Sequence, residues 1–283
     1  MTTKVSMLEN KFASLIDFPG TIKIIKESTA VQIIGALVLF FMALAVLFPE
    51  LLATHNPYAL DVINRLEAPS LTNLMGTDES GRDIYSRVIY GARYSLGISF
   101  VIVFLAAVIG GAYGTIAGYI GGNIETIMMR IVDLFLSFPY LILAMAIASV
   151  LGRGVESTIV ALTIVWWPGF ARMVRGQVIC IKENLFVEAA RSAGLPEYKI
   201  LYRHIVPHFL KELRVKMTLD LGYCILALTG LSFLGLGVQS PTPEWGLMIS
   251  HARMYVILAW WYGVFPGIAI FMTVLSLTLI SEK

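Results

Sequence analysis

Residues 95–120 read SLGISFVIVFLAAVIGGAYGTIAGYI, a run of 26 residues that holds no charged side chain. About 20 predominantly apolar residues suffice to cross the hydrocarbon core of a bilayer, so this stretch is expected to be a transmembrane helix. Gly110, Gly114, Gly118 and Gly122 recur every four residues through it and just beyond, with Gly111 beside them. Helices in lipid gain little by hiding apolar surface from one another, and close backbone approach at small residues supplies much of their packing energy. The spacing predicts tight packing on a neighbouring helix. Loose packing without a specific contact is the other reading of a glycine-rich run, and it explains the strict spacing less well.

Working outward, five more apolar blocks of similar length follow the same logic: residues 30–48, 131–151, 155–171, 217–238 and 255–280. Of 283 residues, 57% are hydrophobic and only 14% charged, and the mean hydropathy is +0.78. A soluble domain carries about a quarter charged residues. The expected fold is an all-α polytopic membrane protein with six transmembrane helices. Residues 1–29 form an N-terminal segment whose Leu8, Phe12 and Leu15 make a weak amphipathic stripe, suited to the membrane surface or to a mobile tail. Lys4, Lys11, Lys23 and Lys26 are spread among acids there, so a cleavable signal is not expected and the block within 30–50 reads as an anchor that stays. Residues 51–93 are the longest polar segment, and 94–283 are expected to form the transmembrane domain. Pro139, Pro168 and Pro266 fall inside spans and would kink them.

Positive residues are retained on the cytoplasmic side of a membrane protein. With the N-terminus inside, the four tail lysines, Arg130, nine Lys and Arg between Arg172 and Lys216, and Lys283 lie within. Only Arg65, Arg82, Arg87, Arg93, Arg153 and Arg253 lie outside. Both termini and the loop at 172–216 are therefore expected in the cytoplasm. The net charge of +2 gives no argument for nucleic acid as a partner, and membrane lipid is the expected surrounding.

Within that loop, residues 184–208, NLFVEAARSAGLPEYKILYRHIVPH, are a polar island between apolar blocks. Asn184 is a candidate N-cap for a short helix over 185–193 with an apolar and small face at Leu185, Ala189 and Ala193, flanked by Phe186 and Ala190. Gly194 suits the left-handed residue that ends a helix. Pro196 would open a second helix, near 197–206, and Pro207 would stop it. The alanines at 189, 190 and 193 would let another surface approach, and Glu188 offers an anionic handle. An ordinary charged connection between two spans is the alternative on periodicity alone.

Few groups are placed for chemistry. His55, His204, His208 and His251 fall in separate connections without metal-ligand spacing, and His204 and His208 are separated by Pro207. Asp78, Glu79 and Asp83 lack the residue order of a calcium loop and read as a solvated turn. Cys180 and Cys224 read as reduced thiols. No metal site is expected. A phosphate-binding G-x-x-x-x-G-K-S/T loop is absent, so the chain is not expected to hydrolyse ATP itself. Ionisable side chains are almost missing from the middles of the spans. Arg130 and Asp133, one turn apart, would pair locally, and Asp220 lies near the cytoplasmic end of its span. An ion-coupled carrier normally needs such groups at mid-depth.

Glu188-Ala189-Ala190, Gly194 and Pro207 resemble the E-A-A-x3-G-x9-I-x-L-P motif of membrane subunits of ATP-binding-cassette importers, with His204 and Val206 where the general motif has Ile and Leu. His-Ile-aliphatic-Pro is usual in the peptide and nickel branch. Residues 75–96, MGTDESGRDIYSRVIYGARYSL, are similar to the hallmark that precedes the second span of the C-type permease subunit in that branch. Residues 129–144 (MRIVDLFLSFPYLILA), 231–249 (LSFLGLGVQSPTPEWGLMI) and 265–275 (FPGIAIFMTVL) extend the likeness, which covers nearly all of 30–275. Where the family continues into a tail containing glycine and aspartate, this chain reads SLTLISEK.

The resemblance implies the type I, MetI-like importer core and a heterodimer with a related second permease. It implies two cytoplasmic ATPase subunits that hold ATP and Mg, no cofactor on this chain, an extracytoplasmic binding protein, and residence in a prokaryotic inner membrane. Peptides are the expected cargo, with nickel or another small solute as the alternative and the substrate-contacting residues unknown. From a different class, a stand-alone channel or ion-coupled carrier is the rival. In the expected mechanism, closure of the ATPases moves the 185–193 helix, the flanking fourth and fifth spans follow, and the pathway opens outward. The outer segments 51–93 and 239–254 would dock the binding protein.

Overall fold

The computed structural model describes residues 30–281, and within them no strand forms. The amphipathic stripe at Leu8, Phe12 and Leu15 lies outside the described residues. In chain order the helices are α1 (Ala30–Leu47), α2 (Pro49–Leu52), α3 (Ile84–Ile120), α4 (Gly122–Leu136), α5 (Tyr140–Leu151), α6 (Val155–Lys182), α7 (Leu185–Ser192), α8 (Glu197–Ile200), α9 (Val206–Phe233), α10 (Trp245–Ala252) and α11 (Trp260–Ser281). Four runs are long and apolar enough to cross a membrane: α3, α6, the continuous stretch Glu197–Phe233, and α11. Helices α4 and α5 together make a fifth, broken span. The described part of α1 is apolar but shorter.

Several boundaries differ from the sequence expectation. The block at 131–151 is not one straight helix, because it bends by 87° between α4 and α5. Ser137 to Pro139 form the break, and Pro139 stands at the N-cap of α5, where its missing N–H costs nothing. The block at 95–120 begins eleven residues earlier, at Ile84, because Asp83 caps it by accepting a hydrogen bond from the Ser86 N–H at 2.8 Å. The block at 255–280 starts only at Trp260, and residues 245–252, within the polar segment 239–254, form α10. Pro168 and Pro266 sit within α6 and α11 as expected.

Helix α3 is the spine. At 37 residues it is about 55 Å long, enough to join both ends of the bundle. Gly110, Gly114 and Gly118 lie against α6, where an added methyl group would come within 3.0 Å of the carbonyl oxygens of Trp167, Ala171 and Arg175 respectively. The contacts step by four residues on both helices, so two i±4 ridges run along each other at backbone distance. Gly122 and Gly111 are not part of this seam, since nothing lies within 4 Å of a methyl group at either. Gly122 belongs to the turn into α4, with φ +63°.

The end of the bundle at the start of α3 is closed by polar groups. Asp78 is fully buried and pairs with Arg82 at 2.7 Å and Arg87 at 3.4 Å. Arg87 also donates to the Pro57 carbonyl at 3.0 Å. Glu79 takes Arg82 at 3.3 Å and His251 of α10 at 3.0 Å. This corrects the solvated turn expected at 78–83. The chain folds residues 54–83 back over α3 and so desolvates the acids, which then require cationic partners. Burial raises the Glu79 carboxyl, but hydrogen bonds from His251 and Tyr262 outweigh it and hold the group at about 2. Glu244 caps α10 from a fully buried position, accepting from the N–H groups of Gly246 at 2.9 Å and Leu247 at 2.8 Å. Burial there pushes its carboxyl up against those bonds.

Candidate coupling site

The far end of α3 meets the polar island. Helix α6 stops at Lys182, and after a two-residue turn α7 begins. Asn184 occupies the N-cap position with extended backbone (φ −76°, ψ 144°), and its carbonyl accepts from Val187 N–H at 2.9 Å. Its side chain does not cap α7. It donates instead to the Cys180 and Ile181 carbonyls, both at 3.2 Å, and so ties the new helix to the end of α6. At the other end Gly194 takes φ +76°, Gly194 N–H reaches Arg191 O at 3.0 Å, and Leu195 N–H reaches Ala190 O at 3.2 Å. That pair of bonds is the Schellman arrangement, which a left-handed glycine makes without steric cost.

Helix α7 has two unlike sides. Val187 and Ala190 are buried in a cluster with Val174, Val178 and Ile181 of α6, Ile200, Ile205, and Phe209 of α9. Leu185 (82% exposed), Glu188, Ala189 and Ala193 face out. Of the small residues read as an approach surface, Ala189 and Ala193 are therefore open, while Ala190 belongs to the chain's own packing. Glu188 makes no ion pair or side-chain hydrogen bond with the described residues. Val187 was overlooked in the sequence, although Val187 and Ala190 at i,i+3 carry the signal of a buried stripe.

Downstream, Pro207 does not stop a helix. Residues 197–233 run on continuously through a wide turn, Leu201–Ile205, in which Val206 N–H bonds to Leu201 O, five residues back. Such π-type widening gives room for a proline ring and skips the bond its nitrogen cannot make. Pro207 then sits in the first turn of α9 and is exposed. His208 stacks on Phe186 at 4.7 Å and 17°, joining α7 to α9. No cluster of three or more metal-ligating side chains occurs among the described residues.

Other contacts fasten the site to the bundle. Arg191 pairs with Glu197 at 3.1 Å, and the Tyr119 hydroxyl at the end of α3 donates to the same carboxylate. Lys182 donates to the Gly118 carbonyl at 2.9 Å, and Arg175 of α6 pairs with Glu125 of α4. Asp133 pairs with Arg172 of α6 at 2.6 Å, which corrects the expected local pair with Arg130. Helices α4 and α6 pack together, so a guanidinium from the neighbouring helix reaches Asp133. Helix α7 is thus a short rod held on one side by two spans, with its other side free.

Comparison with known proteins places the chain in a family. Residues 110–282 match the family described as "Binding-protein-dependent transport system inner membrane component". The chain is 38% identical over 256 residues to the "Probable D,D-dipeptide transport system permease protein DdpC" of Escherichia coli (strain K12), covering 90% of this chain and 86% of that protein. It is 37% identical over 274 residues to the "Dipeptide transport system permease protein DppC" of Alkalihalophilus pseudofirmus, covering 97% and 90%. Against the "Glutathione transport system permease protein GsiD" of Pectobacterium atrosepticum it is 38% identical over 250 residues, covering 88% and 82%. The stand-alone channel or carrier gives way to this finding, and in such importers ATPase and substrate-binding partners are separate subunits. The chain belongs to the binding-protein-dependent transport system inner membrane components, as a multi-pass permease subunit of an ATP-binding-cassette importer.

Proposed function

We infer that this chain is one half of a peptide pathway and that α7 is the lever through which ATP hydrolysis drives it. The observation that carries the lever is the two-sidedness of α7: Val187 and Ala190 lock it to α6 and α9, while Leu185, Glu188, Ala189 and Ala193 are exposed among the described residues. A seat in an ATPase subunit would take that open side. Gly194 sets where the lever ends, and Pro207 sets where its motion enters α9. The seam at Gly110, Gly114 and Gly118 would carry motion of α6 to α3. The cargo follows from relatives named for D,D-dipeptide, dipeptide and glutathione transport.

The full assembly in this reading is a heterodimer with a related permease, two ATPase subunits holding ATP and Mg, and a binding protein on the opposite face. It sits in a prokaryotic inner membrane with both termini cytoplasmic. The test is reconstitution of that assembly in proteoliposomes with labelled dipeptide or nickel as cargo. Dipeptide uptake that depends on ATP and the binding protein supports the reading, and nickel uptake alone refutes the peptide half. Gly194→Asp should leave the permease in the membrane yet abolish ATP hydrolysis stimulated by loaded binding protein. Normal transport by that variant refutes the lever.

A further inference from the structure

The break between α4 and α5 opens a cavity of about 270 Å³ whose lining includes Leu136, Tyr140, Trp166, Tyr223 and one ion pair, Lys216 with Asp220 at 3.0 Å. That pair stands where the charged run Lys211–Lys216 gives way to the apolar block that begins at residue 217, and it shares the cavity wall with Val165, Trp166 and Gly169 of α6. Ionisable groups at such positions are tolerated where they face protein or a water-filled cavity. Here the cavity is bounded by the chain on one side and open on the other, and Tyr140 and Tyr223 at its mouth are exposed. The Lys216 ammonium lies 5.0 Å over the Phe170 ring and reaches both carboxylate oxygens of Asp220, at 3.0 and 3.3 Å. Tyr140 packs edge-on against Trp166 at 5.6 Å.

We propose that Lys216 and Asp220 form a pathway site for short zwitterionic peptides, Lys216 receiving the terminal carboxylate and Asp220 the terminal ammonium. This rests on the peptide reading above. A free peptide brings one charge of each sign, and so does the wall. Opening the internal pair onto the peptide replaces one ion pair by two and leaves no charge unmatched in a low-dielectric passage. The aromatic rings around the pair supply flat, apolar surface for side chains of any kind, which suits a carrier that must pass many sequences. Leu136 and Tyr140 bring the broken span to this wall, and discontinuous helices are where carriers of other designs also build their sites.

The experiment uses the assembled importer in proteoliposomes, with labelled dipeptide uptake and ATP hydrolysis measured together. Lys216→Met combined with Asp220→Asn removes both charges at once, so neither is orphaned. Binding-protein-stimulated ATP hydrolysis should stay within about twofold while peptide delivered per ATP falls at least tenfold. An unchanged ratio overturns the proposal, and so does an equal loss of both activities in an intact complex, which would make the pair structural. If the double variant does not assemble, Tyr223→Cys in a Cys180→Ser background decides. A charged thiol reagent should label it in inverted vesicles, and millimolar dipeptide should slow labelling severalfold. Failure to label, or labelling indifferent to peptide, overturns the proposal. A wild-type importer that moves no peptide sinks the peptide reading and this inference together, whereas wild-type transport with an indifferent double variant sinks this inference alone.

Discussion

The two ends of α3 are both polar, and they are built in opposite ways. At its start, residues 54–83 and α10 bury their charges against each other: Asp78, Arg82 and Arg87 are all within 5% of complete burial. At its finish, the island around α7 buries only apolar groups, and its charged residues Glu188, Arg191 and Glu197 lie on the surface. A buried ion network is satisfied internally and resists displacement, because moving one member strands the others. A helix clamped on one side by apolar contacts leaves its other side available and can move as a unit with the spans beneath it. The first end is built to hold, and the second keeps a face open, as the lever proposed above requires.

The largest expected effect breaks the holding end. Asp78→Ala strands two buried guanidinium groups and should cost about 3–5 kcal/mol, enough to lose folded protein in a thermal-melting or yield assay. Retention of the wild-type melting temperature would show that the cap is looser than its burial implies. Next comes the seam that joins the ends. Gly114→Ala places a methyl group against the Ala171 carbonyl oxygen and should cost about 1–3 kcal/mol by overpacking, whereas Gly111→Ala meets nothing and should be silent in the same melts.

A smaller effect is pH-dependent and confined to the cap. Glu79 has its folded pKa lowered from 4.5 to about 2, so it stabilises the protein above pH 4.5 and that contribution fades as pH falls through about 2. Because part of this carboxylate meets water, the loss should be about 2 kcal/mol rather than the full linkage value. Melting curves at pH 5 and pH 3 should show about half of it in the wild type, because the folded carboxyl is still mostly ionised at pH 3, and Glu79→Gln should flatten the difference. The smallest effect on stability belongs to the end with the open face. Glu188→Gln removes an exposed charge and should shift the melt by no more than about 0.5 kcal/mol, while reducing binding-protein-stimulated ATP hydrolysis at least tenfold. If Glu188→Gln instead destabilised the fold while sparing ATP hydrolysis, the contrast between the ends would be inverted.

How much of this was legible beforehand depended on the range of the interaction. Local signals were readable: the start of α7 after Asn184, its end at Gly194, and the apolar blocks that became spans. Pro207 misled because its effect depends on the turn before it, and a π-type turn is not encoded by any one residue. Glu79 misled because its partner His251 is 172 positions away, and Asp78 misled because no local pattern reveals that an acid beside its own arginines will be covered by the rest of the chain. Val187 and Ala190 bore a local signal that the more conspicuous alanine pairs obscured.

By itself the sequence determined that the chain enters a membrane, how many apolar blocks it has, and that a short helix carrying an acidic residue, Glu188, stands between two of them. Those follow from transfer energies and helix-end stereochemistry, which act over a few residues. Tertiary structure decided which glycines form the seam, which face of α7 is spoken for, where α4 and α5 bend, and that Asp78 is buried. Those outcomes depend on which distant segments meet, and desolvation and backbone contact have no value until they do.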